Sequence, residues 1–300
     1  MANHALRRKR KFSDSLIKKM IVITAVILSL LILATVIVSA IYISKKSSGG
    51  ADYAGGNPDV SFNTLIFAYG DNNNIQAGAF MLCRIDSRTN KIYLTSLPTD
   101  TICSYEGNSN TLNEHLSYGG HIQAIDAVEN LLKIDIDRYA EIELAKFEEV
   151  MDSIGGVSFD IPEQVSDDKE SGLPVNIEPG LQTLTGAMAG AVFSKNDWGT
   201  TDKITIQENL ACAIINQYMK NSVLQNAETY FNKAVNAVDT DISLIDFYKI
   251  LPVLNSMSQT EAPAEVQHAN GSYMSDGDLY GFVIDDNSIS NLTSVYTKKQ

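Results

Sequence analysis

The sequence predicts an α/β fold: a single three-layer α-β-α domain with a central mixed sheet flanked by helices, preceded by one transmembrane helix. Short β-branched and aromatic runs alternate with amphipathic helical segments over residues 60–297, without an internal repeat, which is typical of one α/β domain. An uncharged apolar run over residues 20–43 predicts the transmembrane helix. Residues 44–59 between the two are rich in Gly and Ser and predict a flexible linker.

The apolar run is long enough to cross a membrane. As a helix, residues 20–43 would extend about 36 Å, against a hydrocarbon core of about 30 Å. A cleaved signal peptide is the alternative, because Val38, Ser39 and Ala40 offer small residues at cleavage positions. The apolar core of a signal peptide is only about 7–15 residues long, so we expect a retained anchor.

The apolar run separates a basic N-terminal segment from an acidic domain. Of the 23 Lys and Arg residues, nine lie within residues 1–46 together with one acidic residue, Asp14, for a net charge of +8. The remaining 14 basic and 35 acidic residues give residues 47–300 a net charge of −21. The positive-inside bias predicts a cytoplasmic tail over residues 1–19 and a domain outside the cell membrane. This division argues against a nucleic-acid partner, because the basic tail lies beside lipid headgroups and the large domain is acidic.

Strands and helices follow one another along the domain. Hydrophobic periodicity predicts strands over residues 64–68, 80–85, 91–97, 134–144, 157–161 and 279–284. Helical patterns predict helices over residues 122–132, 147–154, 228–238, 243–256 and 288–296. Two more helices are predicted, one that begins at residue 185 and one that follows a polar loop over residues 194–202 and ends at residue 218. Residues 86–90 predict a hairpin turn between the second and third strands, and residues 105–110 predict a polar loop.

The third predicted strand ends in a polar loop that is a candidate site. Pro98 removes a ladder donor and ends the strand, and Thr99, Asp100 and Thr101 follow it. Ligands of open α/β sheets bind where strands pass into loops. Asp100 is therefore the candidate catalytic residue.

Cysteine and histidine usage gives no further site. Cys83, Cys103 and Cys212 form an odd set without a disulfide framework, and three buried thiols are the expectation. A bond between Cys83 and Cys103 stays open, since the two flank the third strand. No Cys/His spacing is typical of a zinc site.

Several short motifs occur in one order along the domain. They are Leu97-Pro98-Thr99-Asp100-Thr101, Ser117-Tyr118-Gly119-Gly120, Val150-Met151-Asp152-Ser153-Ile154-Gly155-Gly156-Val157 and Pro179-Gly180-Leu181-Gln182-Thr183-Leu184-Thr185-Gly186. With the basic tail and the anchor, this order resembles the LytR-CpsA-Psr family of bacterial cell-envelope proteins. The resemblance implies transfer of a glycopolymer from a polyprenyl-pyrophosphate carrier to peptidoglycan. It also implies arginines and magnesium-binding aspartates, because a pyrophosphate leaving group needs strong positive charge.

The arginines of the family pattern are missing from their positions. The strand-end signature Leu/Ile-Pro-Arg-Asp-Thr has Thr99 where arginine is expected, and Ser194-Lys195-Asn196 stands for an Arg-x-Arg pair. The domain contains three arginines, Arg84, Arg88 and Arg138, none at a family position. We expect Arg88 and Arg138 to be solvated charges. We therefore expect the family fold without the arginines that would stabilise a pyrophosphate leaving group.

Two functions follow from the resemblance. The first is a catalytically degenerate, membrane-anchored protein that binds a polyprenyl lipid tail in an apolar pocket between sheet and helices, or a wall-assembly partner. Trp198 is a candidate contact or an ordinary loop aromatic. The second is an active phosphotransferase that attaches a glycopolymer from a polyprenyl-pyrophosphate carrier to peptidoglycan with Mg²⁺. Its candidate residues are Asp100 and Asp71 for the metal, and Lys195, Lys203 and Gln207 for the phosphates.

Overall fold

The structure is a computed structural model. It describes residues 60–69, 77–166, 176–195, 198, 202–219, 238–242, 244–276 and 279–298. The predicted tail, the anchor, the linker and Asp71 lie outside these ranges, as do residues 228–237 of one predicted helix. Within them, no helix combines the length and the apolar character needed to span a bilayer.

The described elements alternate between strand and helix. The strands are β1 (Phe62–Tyr69), β2 (Ala77–Asp86), β3 (Lys91–Leu97), β4 (Ile102–Tyr105), β5 (Asn108–Thr111), β6 (Arg138–Glu143), β7 (Val157–Ile161), β8 (Gly180–Leu184), β9 (Val238–Thr240), β10 (Ala264–Val266), β11 (Gly271–Asp276) and β12 (Leu279–Ile284). The helices are α1 (Leu112–Leu132), α2 (Leu144–Ile154), α3 (Gly186–Ser194), α4 (Lys203–Tyr218), α5 (Leu244–Met257) and α6 (Asp286–Tyr296).

A six-stranded mixed sheet forms the middle layer, in the order β10-β3-β2-β1-β6-β9. Strands β1, β2 and β3 form an antiparallel meander. Strand β6 runs parallel to β1, β10 runs parallel to β3, and β9 is antiparallel to β6. The predicted central mixed sheet is therefore confirmed.

Helices cover both faces of this sheet. Side chains of β1 alternate between faces, so that Ile66 belongs to one hydrophobic cluster and Leu65 and Phe67 belong to the other. The Ile66 cluster includes buried side chains of α2, α3, α4 and α5, and the Leu65 cluster includes side chains of α1 and α6. The domain thus has the three layers that the sequence predicts.

The β2–β3 hairpin is also found as predicted, and Asp86 explains its turn. The Oδ1 atom of Asp86 accepts hydrogen bonds from the backbone N–H groups of Arg88 and Thr89, at 2.9 and 3.0 Å. Asn90 closes the turn with a positive φ of 53°, a conformation that Asn tolerates better than most residues. The hairpin places β3, and with it Pro98, in the interior of the sheet.

Two short hairpins and the start of a helix differ from the prediction. The expected loop over residues 105–110 is instead the turn of the β4–β5 hairpin. Strand β8, for which no strand was predicted, pairs with β7. Helix α1 begins at Leu112, because Thr111 and Glu114 form a capping box, but it is kinked at Gly119 and Gly120, whose φ and ψ are not helical. The predicted helix over residues 122–132 is the part of α1 that follows this kink. Strands of four or five largely polar residues give too weak a pattern for a prediction.

The three cysteines are buried, free thiols, as expected. Cys83 lies in the cluster with Ile66, and Cys103 lies in the cluster with Leu65. The sheet therefore separates the two sulfur atoms, which explains why they form no bond. Burial raises the pKa of all three thiols, most strongly at Cys83.

Candidate functional site

A cleft of about 620 Å³ opens where β3 ends. Its walls come from the loop after β3, the first turns of α4, the segment between β10 and β11, and the β11–β12 hairpin. The sheet interior therefore supports one wall, and a helix start supports another. This is the strand-end position at which open α/β sheets bind ligands.

Asp100 lies in the wall formed by the loop after β3. The carbonyl of Pro98 fixes this loop by accepting hydrogen bonds from the backbone N–H and the hydroxyl of Thr101, at 3.0 and 2.7 Å. The carbonyl of Asp100 accepts a hydrogen bond from the N–H of Phe282, at 2.9 Å. The Tyr273 hydroxyl donates to Oδ1 of Asp100 at 3.3 Å. Asp100 is thus held between β3 and the β11–β12 hairpin.

Helix α4 brings Lys203 and Gln207 into the same cleft. Asp202 caps the helix by accepting a hydrogen bond from the N–H of Thr205 at 2.8 Å, which sets its first turn at the cleft wall. The Gln207 amide donates to the carbonyl of Phe193 in α3 at 3.2 Å and is buried. Burial lowers the pKa of the Lys203 amine. Among the described residues that line the cleft, Lys203 is the only Lys or Arg.

Glu208 and His268 form a pair in the cleft wall, between a buried carboxyl group and a half-exposed imidazole. Oε2 of Glu208 lies 2.7 Å from Nδ1 of His268, and Oε1 accepts the backbone N–H of Ser96 at 2.9 Å. The Glu208 side chain is fully buried, while 51% of the His268 side chain is exposed. Burial raises the pKa of Glu208 to about 7, against the opposing effects of the Ser96 bond and of His268. No local sequence pattern predicts this pair, because the two residues lie 60 positions apart.

Lys195 and Trp198 do not line this cleft. The Lys195 ammonium forms an ion pair with Glu163 at 3.0 Å and lies 5.2 Å from the centre of the Trp198 ring. Trp198 itself is buried in the hydrophobic cluster between the sheet and α2–α5. The structure therefore brings together Asp100, Lys203 and Gln207 but leaves Lys195 apart.

The three arginines of the domain are engaged outside the cleft. Arg84 is fully buried and pairs with Asp86 at 3.0 Å, and Arg88 lies 3.5 Å from the same carboxylate. Arg138 forms two bonds to Asp246 of α5, at 2.9 and 2.6 Å. Arg138 is thus a partly buried structural ion pair, which corrects the expectation of a solvated charge. The guanidinium groups hold the fold together and do not serve the cleft.

The described residues do not by themselves fit a magnesium centre. Magnesium prefers carboxylate oxygens and water in octahedral geometry. No group of three or more His, Cys, Asp or Glu side chains suited to a metal occurs in the ranges that the structure describes. Asp202 also faces the cleft, but its carboxylate already accepts bonds from the N–H and hydroxyl of Thr205. Asp71, the other predicted ligand, lies outside those ranges.

The described residues form a three-layer α/β protein with a cleft at the end of β3. The sequence model of the LytR_cpsA_psr family matches residues 49–295. This chain belongs to the LytR-CpsA-Psr family, as the order of its motifs predicted.

Two relatives are named as transferases of teichoic acid to peptidoglycan. The polyisoprenyl-teichoic acid–peptidoglycan teichoic acid transferase TagU of Halalkalibacterium halodurans is 25% identical over 224 residues, which are 71% of this chain and 72% of that protein. The corresponding transferase TagV of Bacillus subtilis is 22% identical over 230 residues, which are 72% of this chain and 58% of that protein.

Solved structures show the same fold. The crystal structure of B. subtilis TagV matches with a TM-score of 0.66 at 21% identity, covering 79% of this chain and 95% of that one. A structure described as a transcriptional regulator from Enterococcus faecalis matches with a TM-score of 0.66 at 20% identity, covering 79% and 86%. At these identities the likeness establishes the fold alone.

Proposed function

We propose that this chain is a catalytically degenerate member of the family. It is anchored in the cell membrane by residues 20–43, faces the outside, and binds a polyprenyl-linked envelope ligand at the cleft beside Asp100. The observation that supports degeneracy most strongly is the placement of the arginines. Arg84, Arg88 and Arg138 all form ion pairs away from the cleft.

The charge of the cleft supports the same proposal. Its described lining contains four carboxylates, those of Asp100, Asp202, Glu208 and Asp285, against one ammonium, that of Lys203. Transfer from a pyrophosphate carrier develops negative charge on the leaving phosphate, and planar guanidinium groups stabilise such charge by bidentate bonds. A single lysine is a point charge and cannot supply that geometry. A nucleic-acid partner is not proposed, since the same acidity repels a polyanion.

The packing of the layer behind the cleft favours a ligand held at the open cleft. Buried side chains of the helices fill the space against the sheet, and large ones among them are Phe147, Met151, Phe193, Leu254 and Met257. Such close packing favours an occupant at the cleft mouth over a lipid tail threaded between sheet and helices. A protein of wall assembly could occupy the same mouth.

Direct binding tests this proposal. The full chain in phosphatidylcholine nanodiscs is titrated with undecaprenyl phosphate, and binding is expected to weaken in Lys203→Ala, because Lys203 is the only Lys or Arg among the described residues that line the cleft. No binding, or binding that Lys203→Ala leaves unchanged, would contradict a polyprenyl phosphate at this cleft. A protein partner would then be the remaining candidate.

A second candidate function is an active, magnesium-dependent phosphotransferase. Lys203 and Gln207 support it, because both lie in the cleft that contains Asp100. Magnesium would need a second carboxylate beside Asp100, and the sequence suggests Asp71 for it. The titration is therefore repeated with undecaprenyl pyrophosphate in Mg²⁺ and in EDTA. Binding that requires Mg²⁺ would favour this candidate, and equal results in both buffers would exclude its metal.

A further inference from the structure

The β11–β12 hairpin, which forms one wall of the cleft, contains a pair of exposed tyrosines, and Tyr273 of this pair lines the cleft. In this hairpin Tyr273 lies opposite Phe282, and Ser275 lies opposite Tyr280, so these four side chains share one face. The rings of Tyr273 and Tyr280 stack with centroids 5.9 Å apart and planes inclined by 22°. Phe282 supports Tyr273 edge-on at 5.5 Å. We call Tyr273 and Tyr280 the tyrosine platform.

The tyrosine platform is exposed although its rings are large and apolar. Tyr273 is 53% exposed and Tyr280 is 65% exposed. Aromatic side chains usually bury their faces, and an exposed stacked pair beside a pocket is typical of a binding surface. The platform therefore offers apolar ring surface to a ligand.

The hairpin is fixed relative to the cleft. The backbone N–H of Phe282 donates to Asp100, and the Tyr273 hydroxyl donates to the carboxylate of the same residue. Gly281 lies so close to this loop that a Cβ atom there would be 2.4 Å from the carbonyl oxygen of Asp100. The platform and the cleft thus form one continuous surface, with Asp100 at their junction.

The chemistry of this surface selects a neutral sugar chain. Pyranose rings with equatorial substituents present flat C–H faces that stack on aromatic rings, and their hydroxyl groups seek carboxylate and amide partners. The Asp100 carboxylate and the exposed Asn270 side chain lie beside the platform in the cleft lining. The three aspartates of the cleft lining, Asp100, Asp202 and Asp285, outnumber its one lysine and disfavour a polyanionic chain. We propose that the tyrosine platform binds a neutral glycan of equatorially linked pyranose rings.

The tyrosine platform lies on the β11–β12 hairpin, whereas the candidate phosphate residues Lys203 and Gln207 lie on α4. The proposal deepens the proposed function by naming the class of sugar that the envelope ligand or its acceptor would contain. It needs no catalysis and no metal.

Calorimetric titration of the full chain in phosphatidylcholine nanodiscs tests it. The probes are N-acetylchitotetraose and cellotetraose, which are neutral, and tetragalacturonate, which is anionic. We expect the neutral probes to bind more tightly than the anionic one by about 10-fold or more. Tyr280→Ala should weaken neutral binding by about 10-fold, while Tyr280→Phe, which keeps the ring, should stay within about twofold. Tyr118→Ala is the matched control, since Tyr118 is 71% exposed on α1 and is not among the residues that line the cleft.

Each outcome decides the proposal. Neutral-sugar binding that depends on the Tyr280 ring supports it, even if undecaprenyl phosphate does not bind and the proposed function fails. Absence of neutral-sugar binding, or binding insensitive to Tyr280→Ala, overturns it while leaving any measured polyprenyl binding intact. Tyr280-dependent binding to phosphatidylglycerol vesicles, or Tyr280-dependent self-association, without sugar binding would also overturn it, in favour of a lipid surface or a second copy.

Discussion

Glu208 of α4 and His268, which follows β10, meet at 2.7 Å in the wall of the cleft. The second Glu208 oxygen accepts the N–H of Ser96, two residues before the proline that ends β3. One carboxyl group therefore joins a helix, a strand and a loop at the point where the ligand site begins. Because this carboxyl is fully buried, its protonation is linked to the stability of the site.

Stability should fall as the pH rises through the range in which Glu208 titrates. The folded pKa of Glu208, about 7, lies above its unfolded value of about 4.3, so the folded state binds more protons between these values. The free energy of unfolding of the wild type should therefore decrease between about pH 4.5 and pH 7, relative to Glu208→Gln. We expect a relative loss on the order of 2 to 3 kcal/mol.

Urea unfolding of both proteins in detergent, from pH 4.5 to pH 8, measures this difference. Glu114→Gln is a control for a carboxylate that is not fully buried. Parallel pH profiles for the wild type and Glu208→Gln would show that Glu208 is charged in the folded state throughout.

Arg84 should contribute far more to stability than Arg88. Arg84 is fully buried with Asp86 and also donates to Asn63 at 3.1 Å, so its removal leaves a carboxylate buried without its main partner. Arg84→Ala should lower the free energy of unfolding by about 3–5 kcal/mol. Arg88→Ala removes a guanidinium that is 39% exposed and should cost about 1 kcal/mol or less. Equal losses in urea unfolding would contradict the structural role of Arg84.

The two glycines after α2 should differ in their tolerance of alanine. Both have a positive φ, 94° at Gly155 and 75° at Gly156, so each alanine incurs about 1–2 kcal/mol of backbone strain. A Cβ at Gly156 would also lie 2.2 Å from the carbonyl oxygen of Leu184, whereas Gly155 has open space. Gly156→Ala should therefore destabilise the protein clearly more than Gly155→Ala in urea unfolding. The reverse order would mean that β7 and β8 can move apart freely.

Of the two candidate phosphate-binding lysines, only Lys203 should affect the binding of undecaprenyl phosphate. Lys203 lines the cleft, while Lys195 is paired with Glu163 outside it. Lys203→Ala should weaken undecaprenyl phosphate binding by about 10-fold, the loss of one charge-assisted contact. Lys195→Ala should leave the dissociation constant within about twofold. A larger effect at Lys195 would place the phosphate elsewhere.

Much of the fold followed from local pattern. Strands β7 and β12 match the predicted ranges, because each is a compact apolar or alternating run bounded by turn residues. The β4–β5 hairpin was missed because each strand has only four residues and β5 is entirely polar, while Glu106 and Gly107, both at positive φ, form its turn. Backbone hydrogen bonds and contact with α1 define this strand pair. A short stretch of sequence contains no signal for either.

The candidate site was only partly predictable. Asp100 follows from the strand and the proline, whereas Gln207 was suggested only by a glutamine that the family pattern places three residues earlier. Glu208 differs: its only sequence signal is a charge on the buried side of α4, and its partner comes from another element. The tyrosine platform needs the β11–β12 register, and β11 was not predicted at all.

We propose that the chain retains the family fold but lacks the arginines in the cleft that transfer would require. Transfer of a labelled polyprenyl-pyrophosphate-linked glycopolymer to peptidoglycan measures it most directly, with the full chain in nanodiscs, Mg²⁺ present and B. subtilis TagV as the positive control. The account predicts transfer by TagV and none above background by this chain. Transfer by the wild-type chain that disappears in Asp100→Ala would contradict it.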